Sequence, residues 1–571
     1  MPSSARLCKP LCIGFLITGQ FLATTPSEAG VVTLITHGWT EDAKGWVTAM
    51  GKSAASHPIR VAEFGPQSPM IYLMSFNPDR SLKVSRIDGE SPLQNPSGDI
   101  FLLLDWQPYA GDLNPFTDSI QSTQIIGPLV ADGLLSPSLI PGLGGPAARL
   151  PIHLIGFSRG GSLVCEISKR LGERSVVVDH LTLLDPHPNR NDGFTTLIPS
   201  YTFVDGTARD GVYQNVLFAE CFYQQVTFPE GTPARGAFLR SLSSWGLNSG
   251  GYVLPHEDVH LWYYGTVETG ESPLSDGSAT LDATLRATWY APAEAQGRRT
   301  GYHNSLRAGG DRRAVSPPVD ASSGYPLLGL NQLWAAALDI PAGDNRSRVT
   351  VDPGELRANL LEFHLSGLKE RPVDTNAPPT SSGVFPTTLE QTDDTTKNLA
   401  ATLTYLWSGS VDAALTLFCD TDENSLNGRL AEIQVALPPS GELPRSIRLD
   451  LSPLQRSLPR GRYRVGALLE SPLIAREYYA SERVEVIHPI GSEIRLQCGV
   501  DTSKDVPAIR LKAEIPTAGT YVMETSTDLV VWTRVSETTV SGPPSAAAVE
   551  ESIPLGSEGA SSRFFRVRLL Q

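Results

Sequence analysis

Five short stretches in the first third of the chain are apolar almost without a break: residues 31–36, 71–76, 100–104, 152–155 and 181–184. A strand with one wet face alternates apolar and polar side chains. A continuous apolar run instead predicts a strand covered on both faces, as in a parallel sheet. After the fourth run, Leu163, Val164, Ile167 and Leu171 recur at helical spacing and predict a helix over 161–171. Strands alternating with helices imply an α/β domain with a mostly parallel sheet, placed here at residues 30–270.

The pattern changes downstream. Residues 271–370 hold Gly/Arg-rich turns, such as Gly309-Gly310-Asp311-Arg312-Arg313, and few clean periods; they read as an extension of the first domain. Residues 371–387 are rich in Pro, Thr and Ser and read as a linker. Short alternating runs then appear at 402–406, 414–418 and 463–465, separated by turn residues, and predict a β-sandwich-like domain over 388–488. Similar runs at 493–496, 520–524 and 564–567 predict a small β domain over 489–571. No strict repeat relates the two C-terminal modules.

At the N-terminus, Arg6 and Lys9 precede an apolar run over 11–23, followed by Thr-Thr-Pro-Ser-Glu-Ala-Gly. A positive start, a short apolar stretch and a small-residue cleavage site predict a secretory signal peptide over 1–29. Ser27-Glu28-Ala29 is one cleavage site and Phe21-Leu22-Ala23 another. The run is shorter than the roughly 20 residues a membrane span takes. The mature chain is therefore expected to have no transmembrane segment and to be exported, to the periplasm, the cell surface or the medium.

Composition adds limits. With 571 residues the chain has room for several cored domains, and 51 glycines and 45 prolines fit its turn-rich C-terminal half. The net charge is −15 and no Lys/Arg cluster occurs, so nucleic acid is not an expected partner. The six cysteines are scattered, without zinc spacing or a disulfide framework. No cofactor is expected.

The chemistry concentrates around Gly156-Phe157-Ser158-Arg159-Gly160. A Gly-x-Ser-x-Gly spacing occurs by chance in chains of this size, but here an apolar strand enters it and a helix leaves it. That is the setting of a nucleophile elbow, in which Ser158 is lifted above the sheet at the start of a helix. A seryl nucleophile needs a base, and the base needs an orienting acid. Asp185 ends the next strand in Leu184-Asp185-Pro186, and Glu220 is a second candidate acid one strand later. His256 and His260 are the candidate bases, in Pro255-His256-Glu257-Asp258-Val259-His260. This segment also matches the zinc motif His-Glu-x-x-His. Pro255 before it, no long amphipathic helix read around it and no third ligand nearby weigh against zinc. In Thr36-His37-Gly38-Trp39 a Gly turn follows the first strand. The Trp39 and Arg159 N–H groups are the expected oxyanion donors, and His37 is read as structural.

These segments, with Leu104-Asp105-Trp106, resemble the α/β-hydrolase superfamily and, within it, lipases of the pancreatic type, over residues 31–265. In that group an Asp-Trp pair ends an earlier strand, and the catalytic acid lies in a Leu-Asp-Pro after the strand that follows the nucleophile helix. The resemblance implies a Ser158, Asp185, His256 triad acting on carboxylic esters, with lipids as the substrate class. The elbow departs from the group's usual Gly-His-Ser-Leu-Gly, and no disulfide-closed lid is evident. A second reading is a catalytically inactive hydrolase-like surface or adhesive protein; a third is a peptidase or amidase with the same triad. Asp420, Asp422 and Asn424 resemble the start of a calcium loop but lack its glycine and its closing glutamate, and read as a polar turn. Trp532 reads as a core residue rather than a glycan platform. Spacing, adhesion or surface retention, including cell-surface or glycan contact, are the roles open to the C-terminal modules.

Overall fold

The computed structural model describes residues 30–57, 70–89, 98–110, 121–187, 212–213, 215–234, 236–244, 246–269, 273–291, 301–308, 357–371, 388–391, 397–407, 409–422, 429–441, 444–471, 475–486, 495–501, 508–515, 519–526, 533–540, 547–554 and 564–570. The predicted signal peptide, nearly all of the predicted linker, Asn424 and Trp532 lie outside these residues.

The first unit is built from β1 (Val32–Thr36), α1 (Trp46–Ala55), β2 (Met70–Phe76), β3 (Leu82–Asp88), β4 (Ile100–Leu104), α2 (Thr123–Leu134), β5 (Ile152–Phe157), α3 (Arg159–Glu173), β6 (Val178–Leu184), β7 (Val216–Tyr223), β8 (Phe238–Ser241), α4 (Pro255–Val267) and α5 (Ala283–Trp289). The eight strands form one sheet in the order β3-β2-β4-β1-β5-β6-β7-β8. Only the edge pair β2–β3 is antiparallel; the other pairs run parallel.

Both faces of the sheet are covered over β1 and β4 to β7, which are buried along their whole length. Val32 and Leu34 of β1 join Leu102, Leu154 and Leu181 in a core with Ile126 and Val130 of α2 and Val164 and Ile167 of α3. Ile35, one residue on, faces the opposite core with Phe101, Leu103 and Ile155, against Trp46 of α1, Trp262 of α4 and Trp289 of α5. β1 pairs with β4 on one side and β5 on the other, so the chain changes direction across the sheet there. Ligands of open parallel sheets bind in the crevice at the strand C-termini beside such a point.

Two segments differ from the expectations. The residues around His256 form the 13-residue α4, with Pro255 in its first turn and every residue but Glu257 buried. A helix buried all round carries no polar stripe, so its period is invisible in the sequence. The 271–370 region contributes to two units. α5, Tyr302 and Ala308 close the second core. Asn359–Ser366, however, pairs antiparallel with Ala400–Leu406 and belongs to the sandwich, which therefore starts before the boundary placed at 388.

In that sandwich, three- and six-stranded sheets enclose Leu403, Tyr405, Leu417, Val465 and Leu469. Buried ion pairs join it to the first unit: Arg476 with Asp179 (3.2 Å) and Arg149 with Glu477 (3.0 Å). The last strands form two three-stranded antiparallel sheets.

Candidate active site

Ser158 stands between β5 and α3 with φ 54° and ψ −123°, in the left-handed region that L side chains seldom occupy. Three backbone hydrogen bonds hold the turn. Ser158 N–H donates to the Leu184 carbonyl (2.8 Å), and the Ser158 carbonyl accepts from Gly161 N–H (3.0 Å) and His187 N–H (3.1 Å). The flanking glycines are steric requirements. A Cβ on Gly156 would overlap the Gly160 carbonyl, and one on Gly160 would overlap the His37 carbonyl. Strand, helix and the turn after β1 are thus in contact around one serine.

Asp185 follows β6 and is fully buried. Its Oδ1 accepts Gln224 N–H (2.7 Å), and its Oδ2 accepts Gln224 Nε2–H (3.0 Å) and His256 Nδ1 (2.6 Å). A carboxylate facing Nδ1 keeps the imidazole proton on that nitrogen and leaves Nε2 as the basic atom. His256 sits in the first turn of α4, its ring 4.7 Å from that of Phe157. Gln224 was not foreseen. It lies in the loop after β7, 39 residues from Asp185, and no motif marks it.

A cleft of about 260 Å³ is lined by Ser158, His256, Trp39, Phe157, Phe228 and Leu254, with Glu41 and Glu257 also on its wall. Hydrogen bonding joins His256 to Asp185 but, among the described contacts, does not join Ser158 to His256. The turn after β1 lies directly on the serine: a Cβ on Gly38 would come within 2.8 Å of Ser158 Cβ and 3.3 Å of its Oγ. His37 is completely buried under that turn. Its Nε2 meets Trp106 N–H (3.2 Å), with Asp105 Oδ1 at 3.5 Å, and its Nδ1 donates to the Gly38 carbonyl (2.9 Å). The Arg159 guanidinium donates to the carbonyls of Tyr109 (3.2 Å), Ala110 (2.6 Å) and Gln121 (2.6 Å), and its backbone opens α3. Burial pushes the Glu41 carboxyl up, and it also pushes up Glu257, which Glu41 raises further.

No family model matches this chain, and no curated protein does. Among solved structures it is similar to a red sea bream transglutaminase at 18% identity, over 30% of this chain and 26% of that one, with a TM-score of 0.14. The chain thus spans well under two thirds of that protein's length, and a likeness so slight carries no argument about fold or function.

The alternative residues lie elsewhere. Glu220 is inside β7 rather than at its end, paired in register with Thr182. It accepts from Thr182 (2.9 Å), Tyr263 (3.4 Å) and Asn304 (3.2 Å) and meets His180 at 3.1 Å. His260 stacks on Trp46 at 4.3 Å and packs edge-on to Phe157 and Tyr252. Burial holds it well below the usual histidine range. The two histidines of the His-Glu-x-x-His segment therefore face different partners: Asp185 at 2.6 Å for His256, and the Trp46 ring, with Asp276 Oδ2 at 3.7 Å, for His260. In the sandwich, Asp420 accepts Thr421 N–H (2.6 Å) and Tyr479 O–H (3.4 Å). Burial, then the charge of Asp422, pushes the Asp420 carboxyl up to about 7.

Proposed function

We propose that this chain is an exported serine hydrolase of the α/β-hydrolase superfamily that cleaves carboxylic esters. The observation that carries this reading is the 2.6 Å contact of His256 Nδ1 with buried Asp185, in the cleft that Ser158 lines from a strained strand-to-helix turn. In the proposed mechanism Ser158 Oγ attacks the ester carbonyl while His256 Nε2 takes its proton. The tetrahedral oxyanion is received by the N–H groups of Trp39 and Arg159. His256 returns the proton to the leaving alcohol, and water repeats the sequence on the acyl-enzyme. Asp185 holds the imidazole tautomer and stabilises its charged form.

Lipids are the proposed substrate class. Apolar surface predominates in the cleft; of its walls, Phe228 (55 % exposed) lies two residues from the exposed Val226, and Leu254 (40 %) follows the exposed Val253. Among the described residues no helix is long and apolar enough to cross a membrane. A competing reading is an inactive hydrolase-like binding protein: among the described residues no hydrogen bond joins Ser158 to His256, a bond that in active sites of this kind commonly forms only with substrate.

Labelling of the mature protein with a fluorophosphonate probe decides between the two. Such probes modify a serine that a base activates. Label on Ser158, lost in Ser158→Ala and weakened in His256→Ala, supports the hydrolase. A folded protein that takes no label, with and without detergent, supports the binding protein.

A further inference from the structure

Gly38 is pinned at both of its backbone groups. Its N–H donates to Glu41 Oε2 (3.0 Å), and its carbonyl accepts His37 Nδ1–H (2.9 Å). The Gly38 carbonyl and the Trp39 N–H belong to one planar peptide, and in the trans form they point in opposite directions. Holding the carbonyl sets where the Trp39 N–H points, and holding the Gly38 N–H fixes the His37–Gly38 peptide before it, so the two bonds together stop Gly38 from turning the Trp39 N–H away. Glu41 is braced from α1, whose Trp46 Nε1–H reaches the same Oε2 at 3.5 Å. His37 is braced by Trp106, whose backbone N–H donates to Nε2 and whose indole N–H donates to the His37 carbonyl (3.0 Å). A glycine against Ser158 has no Cβ to restrict its rotation, so these side chains supply the restraint.

We propose that Glu41 is a positioning residue for this site: its carboxyl oxygen, by holding the Gly38 N–H, fixes the turn whose Trp39 N–H meets the developing oxyanion. This assignment rests on the ester-hydrolase reading. Burial favours the protonated form of Glu41. A neutral carboxyl keeps its carbonyl oxygen as acceptor while opposing a nearby oxyanion less than a carboxylate would. The acceptor oxygen on the Gly38 N–H is present in either protonation state and in a glutamine amide.

The test compares Glu41→Ala, Glu41→Asp and Glu41→Gln on a short-chain ester and with a trifluoromethyl ketone, whose adduct with the serine carries an oxyanion. Loss of the acceptor, or its withdrawal by one methylene in Glu41→Asp, is expected to lower kcat roughly 10- to 100-fold, as misplaced oxyanion donors do. KM stays within about 3-fold, and ketone affinity falls in step with kcat. Glu41→Gln keeps the oxygen and restores kcat to within about 3-fold of wild type. Glu41→Ala or Glu41→Asp at wild-type kcat, Glu41→Gln as impaired as either, or unchanged ketone affinity would each overturn the assignment. If Glu41→Ala does not fold, the Asp and Gln variants carry the comparison. A wild type that neither turns over the ester nor takes the fluorophosphonate overturns the hydrolase reading itself, and this assignment with it.

Discussion

Replacing Asp185 by Asn changes one atom and tests the whole arrangement of the base. The native carboxylate receives three N–H groups, two at Oδ2 from His256 and Gln224 Nε2 and one at Oδ1 from the Gln224 backbone. An amide has only one oxygen. Keeping it toward the Gln224 backbone points the new NH₂ at His256 and the Gln224 side chain. His256 must then move its proton to Nε2 so that Nδ1 can accept, and the nitrogen that faces the reaction is no longer basic. The expected loss is about 10⁴-fold in kcat, equivalent to roughly 5.5 kcal/mol. The stability cost is expected to be small, about 1 kcal/mol, at the low end for an unpaired donor. The Gln224 amide already has other acceptors, the carbonyls of Thr227 (3.2 Å) and Pro229 (2.8 Å). The assay is kcat on a soluble p-nitrophenyl ester, with urea denaturation of the same preparations. A folded Asp185→Asn variant that keeps more than about a tenth of wild-type kcat would refute this account of the base.

Three further outcomes are expected. Ser158→Gly should be more stable than Ser158→Ala by about 1 kcal/mol, because only glycine adopts φ 54° without strain; equal denaturation midpoints would show that the turn stores none. Glu220→Gln should keep kcat within about 3-fold, whereas loss of the true orienting acid would cost about 10⁴-fold, so ester kinetics separate Glu220 from Asp185. Burial, then the charges of Glu257 and Asp276, raises the Asp258 carboxyl to about 8 against the opposing Tyr252 N–H. The folded state then holds more protons than the unfolded state between pH ~4 and about 8, so stability falls as pH rises through that window. Asp258→Asn keeps an oxygen for the Tyr252 N–H and removes the titration. Its advantage over wild type in urea denaturation should be near zero at pH 4 and about 1–3 kcal/mol at pH 8.5. An advantage independent of pH would sink this reading.

What could be read from the sequence is what local sterics write into residue types. Strands covered on both faces favour apolar side chains at nearly every position, so β1, β4 and β5 stand out as almost continuous apolar runs. Gly156 and Gly160 are marked because a Cβ at either would overlap a carbonyl brought there by another segment. What stayed hidden is fixed by depth or by distant pairing. His256 and His260 are four residues apart on α4 and share a helix face, so spacing cannot rank them. They differ in what they reach: His256 meets Asp185 at 2.6 Å, whereas His260 lies flat on Trp46 with Asp276 3.7 Å from its Nδ1. The strand Asn359–Ser366 looks unremarkable until Ala400–Leu406 pairs with it, because a strand's membership is set by its partner. Gln224 acts through two hydrogen bonds to a carboxylate and Glu41 through one to a backbone N–H, and such roles leave no periodicity and no motif. The residues that would perform the chemistry could be nominated from spacing, whereas those that hold them in place appear only when the chain is folded. Substitutions at Gln224 and Glu41 therefore probe the structural account more sharply than substitutions at Ser158, whose place in the motif suffices to nominate it.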